Sequence, residues 1–104
     1  MSRTLNLVDR LLERGRHLQA IGRTQDALQI FNQLAGFKHL TAEVAEEAAV
    51  RLAEIQLAHR RYHKARRNLT AAIVHRPGNA RYHFLMGSAL DLDEERNLVR
   101  AYEH

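Results

Sequence analysis

The feature that most constrains the fold is an internal repeat with a period of 38 residues. Small and large residues recur at this interval in two segments of helical spacing, and the segments before them keep the same register. A fixed period of this size is typical of proteins built from stacked helical units. The repeated positions are Thr24, Ala27, Phe31, Leu34 and Ala35 in the first unit, and Tyr62, Ala65, Leu69, Ala72 and Ile73 in the second. Upstream, Leu11, Gly15 and Leu18 correspond to Ala49, Ala53 and Gln56.

The composition agrees with an all-α chain of 104 residues in one domain. Good helix formers dominate, and there are only five glycines and one proline. The chain has no cysteine, which excludes disulfides and a cysteine–zinc site. It has no apolar run of about 18 residues and no apolar signal-peptide core at its start. We therefore expect no membrane contact and a cytoplasmic location.

The apolar stripes and the breaker residues predict six helices. The first is expected over about residues 4–21, the second ends at Gly36, the third runs over about 41–58, and Pro77-Gly78 ends the fourth. The predicted N-caps of the second, third, fifth and sixth helices are Thr24, Thr41, Asn79 and Asp93. The remaining predicted core positions are Leu7, Ala45, Ala48 and Leu52, with Leu85, Met86 and Leu90 in the fifth helix.

Small residues recur where helices are expected to cross. Gly15, Ala53 and Gly87 have equivalent places in the first, third and fifth helices, and Ala27 and Ala65 match in the second and fourth. A small side chain at a crossing allows two antiparallel helices to approach closely. Larger neighbours then fill the space around each crossing.

This pattern resembles the tetratricopeptide repeat (TPR) family, whose unit is a helical hairpin of 34 residues. The best match is 46–79, an earlier unit spans about 8–41 with four extra residues, and 80–104 matches an incomplete third unit. The usual tryptophan is replaced by Leu11, Ala49 and His83. The matching positions of the best unit are Leu52-Ala53, Tyr62, Ala65, Leu69, Ala72-Ile73 and Pro77.

The resemblance implies a right-handed superhelix (an α-α solenoid) of about two and a half hairpins, which binds a peptide or helix of another protein without catalysis. In the family, the first helix of each hairpin lines a concave groove. Apolar anchors at Val50, Leu57 and Phe84 would supply binding, and charged neighbours would set its orientation. The residues at the lining positions are Leu12, Arg16, Gln19, Glu47, Val50, Arg51, Glu54, Leu57, Arg81, Phe84 and Ser88.

A basic band is the second candidate surface. No Asp or Glu occurs between Ile55 and Leu90, and seven Lys and Arg residues lie there. The band predicts either a solvated convex face or a contact with an acidic protein or nucleic acid, although few aromatic residues are available to stack on bases. Self-association through the incomplete third unit is a further alternative. The candidate residues of the band are Arg60, Arg61, Lys64, Arg66, Arg67 and Arg76.

No motif for catalysis, a cofactor or a metal ion is present. Ser2 and Ser88 are the only serines, and neither lies in a nucleophile-elbow sequence. No glycine-rich phosphate loop occurs. His59 and His63 have the spacing of two ligands on one helix, but a turn is predicted between them and their neighbours are cationic. We therefore expect a chain that is not an enzyme and that needs no cofactor or metal.

Overall fold

The computed structural model describes the backbone of residues 3–103 and the side chains of residues 7–92. The described backbone consists of α-helices and connections, without a strand, which confirms the all-α prediction. Each helix packs mainly against the next one in the chain. The helices are α1 (Arg3–Ala20), α2 (Thr24–Ala35), α3 (Ala42–Ala58), α4 (Tyr62–His75) and α5 (Ala80–Glu103).

The turns α1–α2 and α3–α4 have the same backbone conformation. Gly22 in the first turn has φ 85°, and Arg60, 38 residues later, has φ 61°. Both turns close with the two hydrogen bonds of a Schellman motif, which satisfies carbonyls at the end of the preceding helix. The amide-to-carbonyl bonds are Gly22 to Gln19 (3.2 Å) and Arg23 to Leu18 (2.9 Å), then Arg60 to Leu57 (3.1 Å) and Arg61 to Gln56 (2.7 Å). The sequence repeat is therefore also a repeat of backbone hydrogen bonds.

The repeated positions form the core. The three central positions of α2 and the three of α4 are completely buried, as predicted. They are Ala27, Phe31 and Leu34 in α2, and Ala65, Leu69 and Ala72 in α4. Ala35 is exposed because it lies in the last turn of α2, beyond these contacts.

The buried stripe of α1 differs from the predicted one. Leu7 is 49% exposed, whereas Val8 and Leu12 are buried in the cluster around Phe31 and Leu34. The helix is therefore turned toward the Val8–Leu12 side, because both of these apolar residues then pack on α2. The prediction that Leu12 lines a groove is wrong, since Leu12 belongs to the core.

The close helix approach is present at two of the three predicted crossings. A Cβ added to Gly15 would lie 2.7 Å from the ring of Phe31. Ala53 is completely buried against Ala65. A Cβ added to Gly87 would have no atom within 4 Å, so no described residue packs closely on that position.

The predicted sixth helix does not exist, because α5 continues through Asp93 to Glu103. Asp93 is a residue type that favours N-caps, but no glycine or proline follows Gly87 to end the helix before it. The second helix of a third hairpin is therefore not formed within the described backbone. This explains the open environment of Gly87 and the 47% exposure of Leu90, which had been predicted to be buried.

Two of the remaining predicted N-caps are confirmed. The Thr41 hydroxyl accepts a hydrogen bond from the Val44 amide at 3.3 Å, and the Asn79 side chain accepts one from the Tyr82 amide at 3.1 Å. Thr24 is not an N-cap, because the preceding Schellman turn leads directly into α2 at Thr24 and makes Arg23 its N-cap. In the described part of the chain, no helix is both long enough and apolar enough to cross a membrane.

Candidate functional site

The predicted groove residues of α1 and α3 bind one another. Arg16 forms a bidentate ion pair with Glu47, with Nη2–Oε1 at 2.5 Å and Nε–Oε2 at 2.6 Å. Arg51 donates to Glu47 at 2.9 Å and to the Gln19 side chain at 2.9 Å. Since 16 pairs with 47 and 19 pairs with 51, the contacts advance together along both helices. α1 and α3 therefore run parallel, with α2 between them in the chain.

A second set of polar bonds joins α3 to α5. Arg81 forms an ion pair with Glu54, and the Tyr82 hydroxyl donates a hydrogen bond to Glu46. Arg76, which follows α4, donates from Nε to Glu46 at 2.8 Å. The carboxylates of α3 therefore connect it to α5 and to the end of α4.

These side chains surround a hollow of about 320 Å³, here named the α3/α5 hollow. Five predicted groove residues line it, and its charged groups have both signs. Its charged lining residues come from α3, from α5 and from the segment after α4. The lining residues are Glu43, Glu46, Glu47, Val50, Arg51, Glu54, Arg76, Arg81 and Tyr82.

The environment keeps Tyr82 protonated and Glu46 ionised. Burial, together with the bond to Glu46, raises the pKa of Tyr82 to about 12. The hydrogen bond from Tyr82, followed by the bond from Arg76, lowers the pKa of Glu46. Tyr82 is therefore a donor and Glu46 an acceptor at neutral pH, and neither group is poised for proton transfer there.

The ion pair on the α1 side has a similar effect. The hydrogen bond from Arg16 lowers the pKa of Glu47, and the bond from Arg51 adds to this. The bond to Glu47 in turn raises the pKa of Arg16. The groups on this surface are thus fixed charges that can orient a ligand.

The other predicted groove residues have different environments. Val50 is buried against Tyr82, so it forms the floor of the hollow and does not protrude as predicted. Leu57 is half-buried on the cluster around Ala53. Phe84 is 73% exposed, and Ser88 is half-buried. Phe84 is therefore the exposed apolar residue of the set.

Three lining residues were not among the predicted groove residues. Glu46 and Tyr82 neighbour the predicted Glu47 and Arg81, and helical spacing directed attention to the latter pair. Arg76 had been assigned to the basic band. Its place directly before Pro77 is the available sequence signal, because the end of α4 must lie near the start of its antiparallel neighbour α3.

The basic band is divided between several surfaces. Arg76 lies in the α3/α5 hollow, and Arg60 lies in the turn before α4. A different part of the band faces a cleft of about 610 Å³, here named the α2/α4 cleft. The band is not one surface because successive helical residues point in directions about 100° apart. The cleft is lined by Gln25, Leu28, Asn32, Gln56, His59, Arg61, Lys64, Arg67 and Asn68.

The two histidines considered as ligands are not joined in a metal site. His59 Nε2 lies 3.5 Å from the Thr24 hydroxyl, and His63 is exposed. Within the described residues, no group of three or more His, Cys, Asp or Glu side chains could hold a metal ion.

Comparisons with protein-family models, with curated proteins and with solved structures give no match for this chain. The function is therefore inferred from the two surfaces, the α3/α5 hollow and the α2/α4 cleft.

Proposed function

We propose that this chain is a non-catalytic interaction module that binds a peptide or helix of another protein at the α3/α5 hollow. The observation that supports this most directly is the position of an exposed aromatic residue beside the hollow. Phe84 is 73% exposed and follows Arg81 by three residues, so both lie on one side of α5. A large exposed aromatic next to ordered polar groups is a typical anchor for a partner.

The paired charges suit recognition of a peptide backbone and its side chains. Arg16, Arg51 and Arg81 each bond to a glutamate of α3, so their positions are set before a ligand arrives. Such preorganisation lowers the entropy that binding must overcome. The hollow would supply polar contacts, and Phe84 would hold an apolar side chain of the partner.

We also propose that the hairpins stack as in a TPR-like right-handed superhelix. The identical turns at Gly22 and Arg60, the parallel direction of α1 and α3, and the burial of the equivalent residues Ala27 and Ala65 support this arrangement. Regular stacking of this kind is how helical repeats create an extended binding surface.

The test begins with selection of peptides from a random library on the full chain. The selected peptides are then titrated against the wild type, Phe84→Ala and Val74→Ala. Val74 is a matched control because it is 74% exposed but lies on α4. We expect Phe84→Ala to weaken binding by roughly 10-fold or more, as for an aromatic anchor, and Val74→Ala to change it less than about threefold.

Circular dichroism checks that both variants keep the wild-type helical content and melting temperature. The proposal fails if selection yields no binder, or if the selected peptides bind Phe84→Ala as tightly as the wild type.

A further inference from the structure

The α2/α4 cleft has a concentration of positive charge without neighbouring acids. Three of its lining residues, Arg61, Lys64 and Arg67, are cationic, and none is acidic. They follow one another at intervals of three residues, which places them along one side of α4. None of the ion pairs found among residues 7–92 includes them.

The sequence repeat shows what is missing in this cleft. In the first hairpin, Arg23 forms an ion pair with Asp26 at 2.7 Å. The equivalent residues 38 positions later are Arg61 and Lys64. The position that holds an acid in the first hairpin thus holds a cation in the second, so the charge of Arg61 is not compensated in the same way.

The cations of the α3/α5 hollow have a different environment. Arg51, Arg76 and Arg81 line that hollow, and each one is bonded to a glutamate. The arginines there contribute to the packing of the helices. In the α2/α4 cleft, the equivalent charges remain available to a ligand.

The floor of the cleft is ordered and uncharged. Gln56 is buried, with 7% exposure, and its Oε1 accepts a hydrogen bond from Asn68 Nδ2 at 2.9 Å. Leu28 adds a half-buried apolar contact on the α2 side. The cleft therefore combines a cationic wall with amide groups and one apolar position.

We infer that the α2/α4 cleft binds an acidic helical segment of another protein. Three residues along a helix correspond to a rise of about 4.5 Å, so Arg61, Lys64 and Arg67 form a row of charges at this interval. A partner helix with carboxylates three or four residues apart has a similar interval. Its charges would meet those of α4, while an apolar side chain would contact Leu28.

The lining favours an acidic protein segment over a nucleic acid. No Phe, Tyr or Trp lines the cleft, so single-stranded bases would find no aromatic ring to stack on. The volume of about 610 Å³ is that of a local cleft between two helices, and it suits a few side chains of a partner.

The inference is tested with a fluorescent alanine-based peptide of about 15 residues, long enough for partial helicity, that carries Glu at every third or fourth position. The same peptide with Gln in place of Glu is the ligand control. The full chain is titrated as wild type, as Lys64→Asp and as Lys38→Asp. Lys38 is an exposed cation of the α2–α3 connection, so both variants change the net charge equally.

We expect binding of the Glu peptide to the wild type, and at least about tenfold weaker binding to Lys64→Asp, which restores the acid of the first hairpin. Lys38→Asp should differ from the wild type by less than about threefold, because charges farther than a Debye length are screened. In the wild type, the peptide should shift the backbone amide resonances of Leu28, Asn32 and Asn68.

Equal weakening by both variants, or equal binding of the Gln peptide, would overturn the cleft as the site. So would amide shifts confined to the α3/α5 hollow. Tighter binding of an oligonucleotide with the same number of charges would overturn the acidic protein segment as its occupant.

Discussion

At the scale of single residues, Arg60 is the most unusual position. It adopts a left-handed backbone conformation, with φ 61°, in a turn whose equivalent in the first hairpin is Gly22. An L-residue with a Cβ is strained in this region by about 1–2 kcal/mol, and glycine is not. The second turn keeps its shape because the Schellman bonds from Arg60 and Arg61 hold it.

We expect Arg60→Gly to be more stable than Arg60→Ala by about 1 kcal/mol, because both remove the charge and only glycine removes the strain. Thermal unfolding measures the difference, which corresponds to roughly 4–8 °C for a domain of this size. The mirror change, Gly22→Ala, should destabilise by a similar amount. Equal melting temperatures of the two Arg60 variants would contradict the left-handed conformation.

At the scale of the elements, the glycines of α1 and α5 differ in what surrounds them. Gly15 allows α1 to approach the ring of Phe31, which is itself completely buried and has little room to move. Gly87 lies in the middle of α5 with no atom within 4 Å of an added Cβ. Equivalent sequence positions therefore have opposite packing.

We expect Gly15→Ala to destabilise the chain by about 1–3 kcal/mol through overpacking against Phe31. Gly87→Ala should stabilise it by up to about 1 kcal/mol, because alanine is the better helix former and meets no obstacle. Chemical unfolding followed by circular dichroism gives both values. A loss of stability in Gly87→Ala would show that some other surface covers that side of α5.

At the scale of the whole molecule, α3 is the central connecting helix. Its carboxylates Glu47, Glu46 and Glu54 bond to residues of α1, of the segment after α4, and of α5. α1 and α5 are therefore linked through α3 by charge as well as by the apolar core. This network is sensitive to acid.

The pKa values of Glu46 and Glu47 are lowered in the folded chain, from an ordinary value of 4.5. Their contribution to the free energy of unfolding is therefore fully present well above pH 4.5 and is lost as the pH falls through the lowered values. We expect Glu47→Gln to be less stable than the wild type at pH 7 and to lose less stability on acidification. Urea unfolding at several pH values measures this.

Asp9→Asn is the control for that experiment, because Asp9 is an exposed carboxylate on α1 that bonds to none of these arginines. Its acid dependence should follow that of the wild type. If Glu47→Gln also follows the wild type at every pH, the ion pair with Arg16 does not contribute to stability.

Much of the candidate site could be expected from helical spacing alone. Glu47, Arg51, Glu54 and Arg81 were placed on one surface, and the structure brings them together around one hollow. Their pairing could not be expected, because it depends on how far α1 and α5 are shifted along α3. A shift of one turn would give each arginine another partner.

The sequence by itself determined the helices, the turns between them and the buried faces of α2 and α4. These features depend on neighbours within a few residues and on the apolar period, both of which can be read along the chain. The same reasoning gave the wrong rotation for α1, where Leu12 is buried, and a false break before Asp93. In both cases the local pattern allowed two solutions.

Only the tertiary structure decided which charges are used internally and which remain available. Arg76 and Lys64 belong to the same basic stretch of sequence, yet one is bonded to Glu46 and the other faces the α2/α4 cleft. The physical reason is that an ion pair needs two side chains within about 4 Å. Distances between helices that are not neighbours in the chain are set by packing, and packing cannot be read from spacing along one helix.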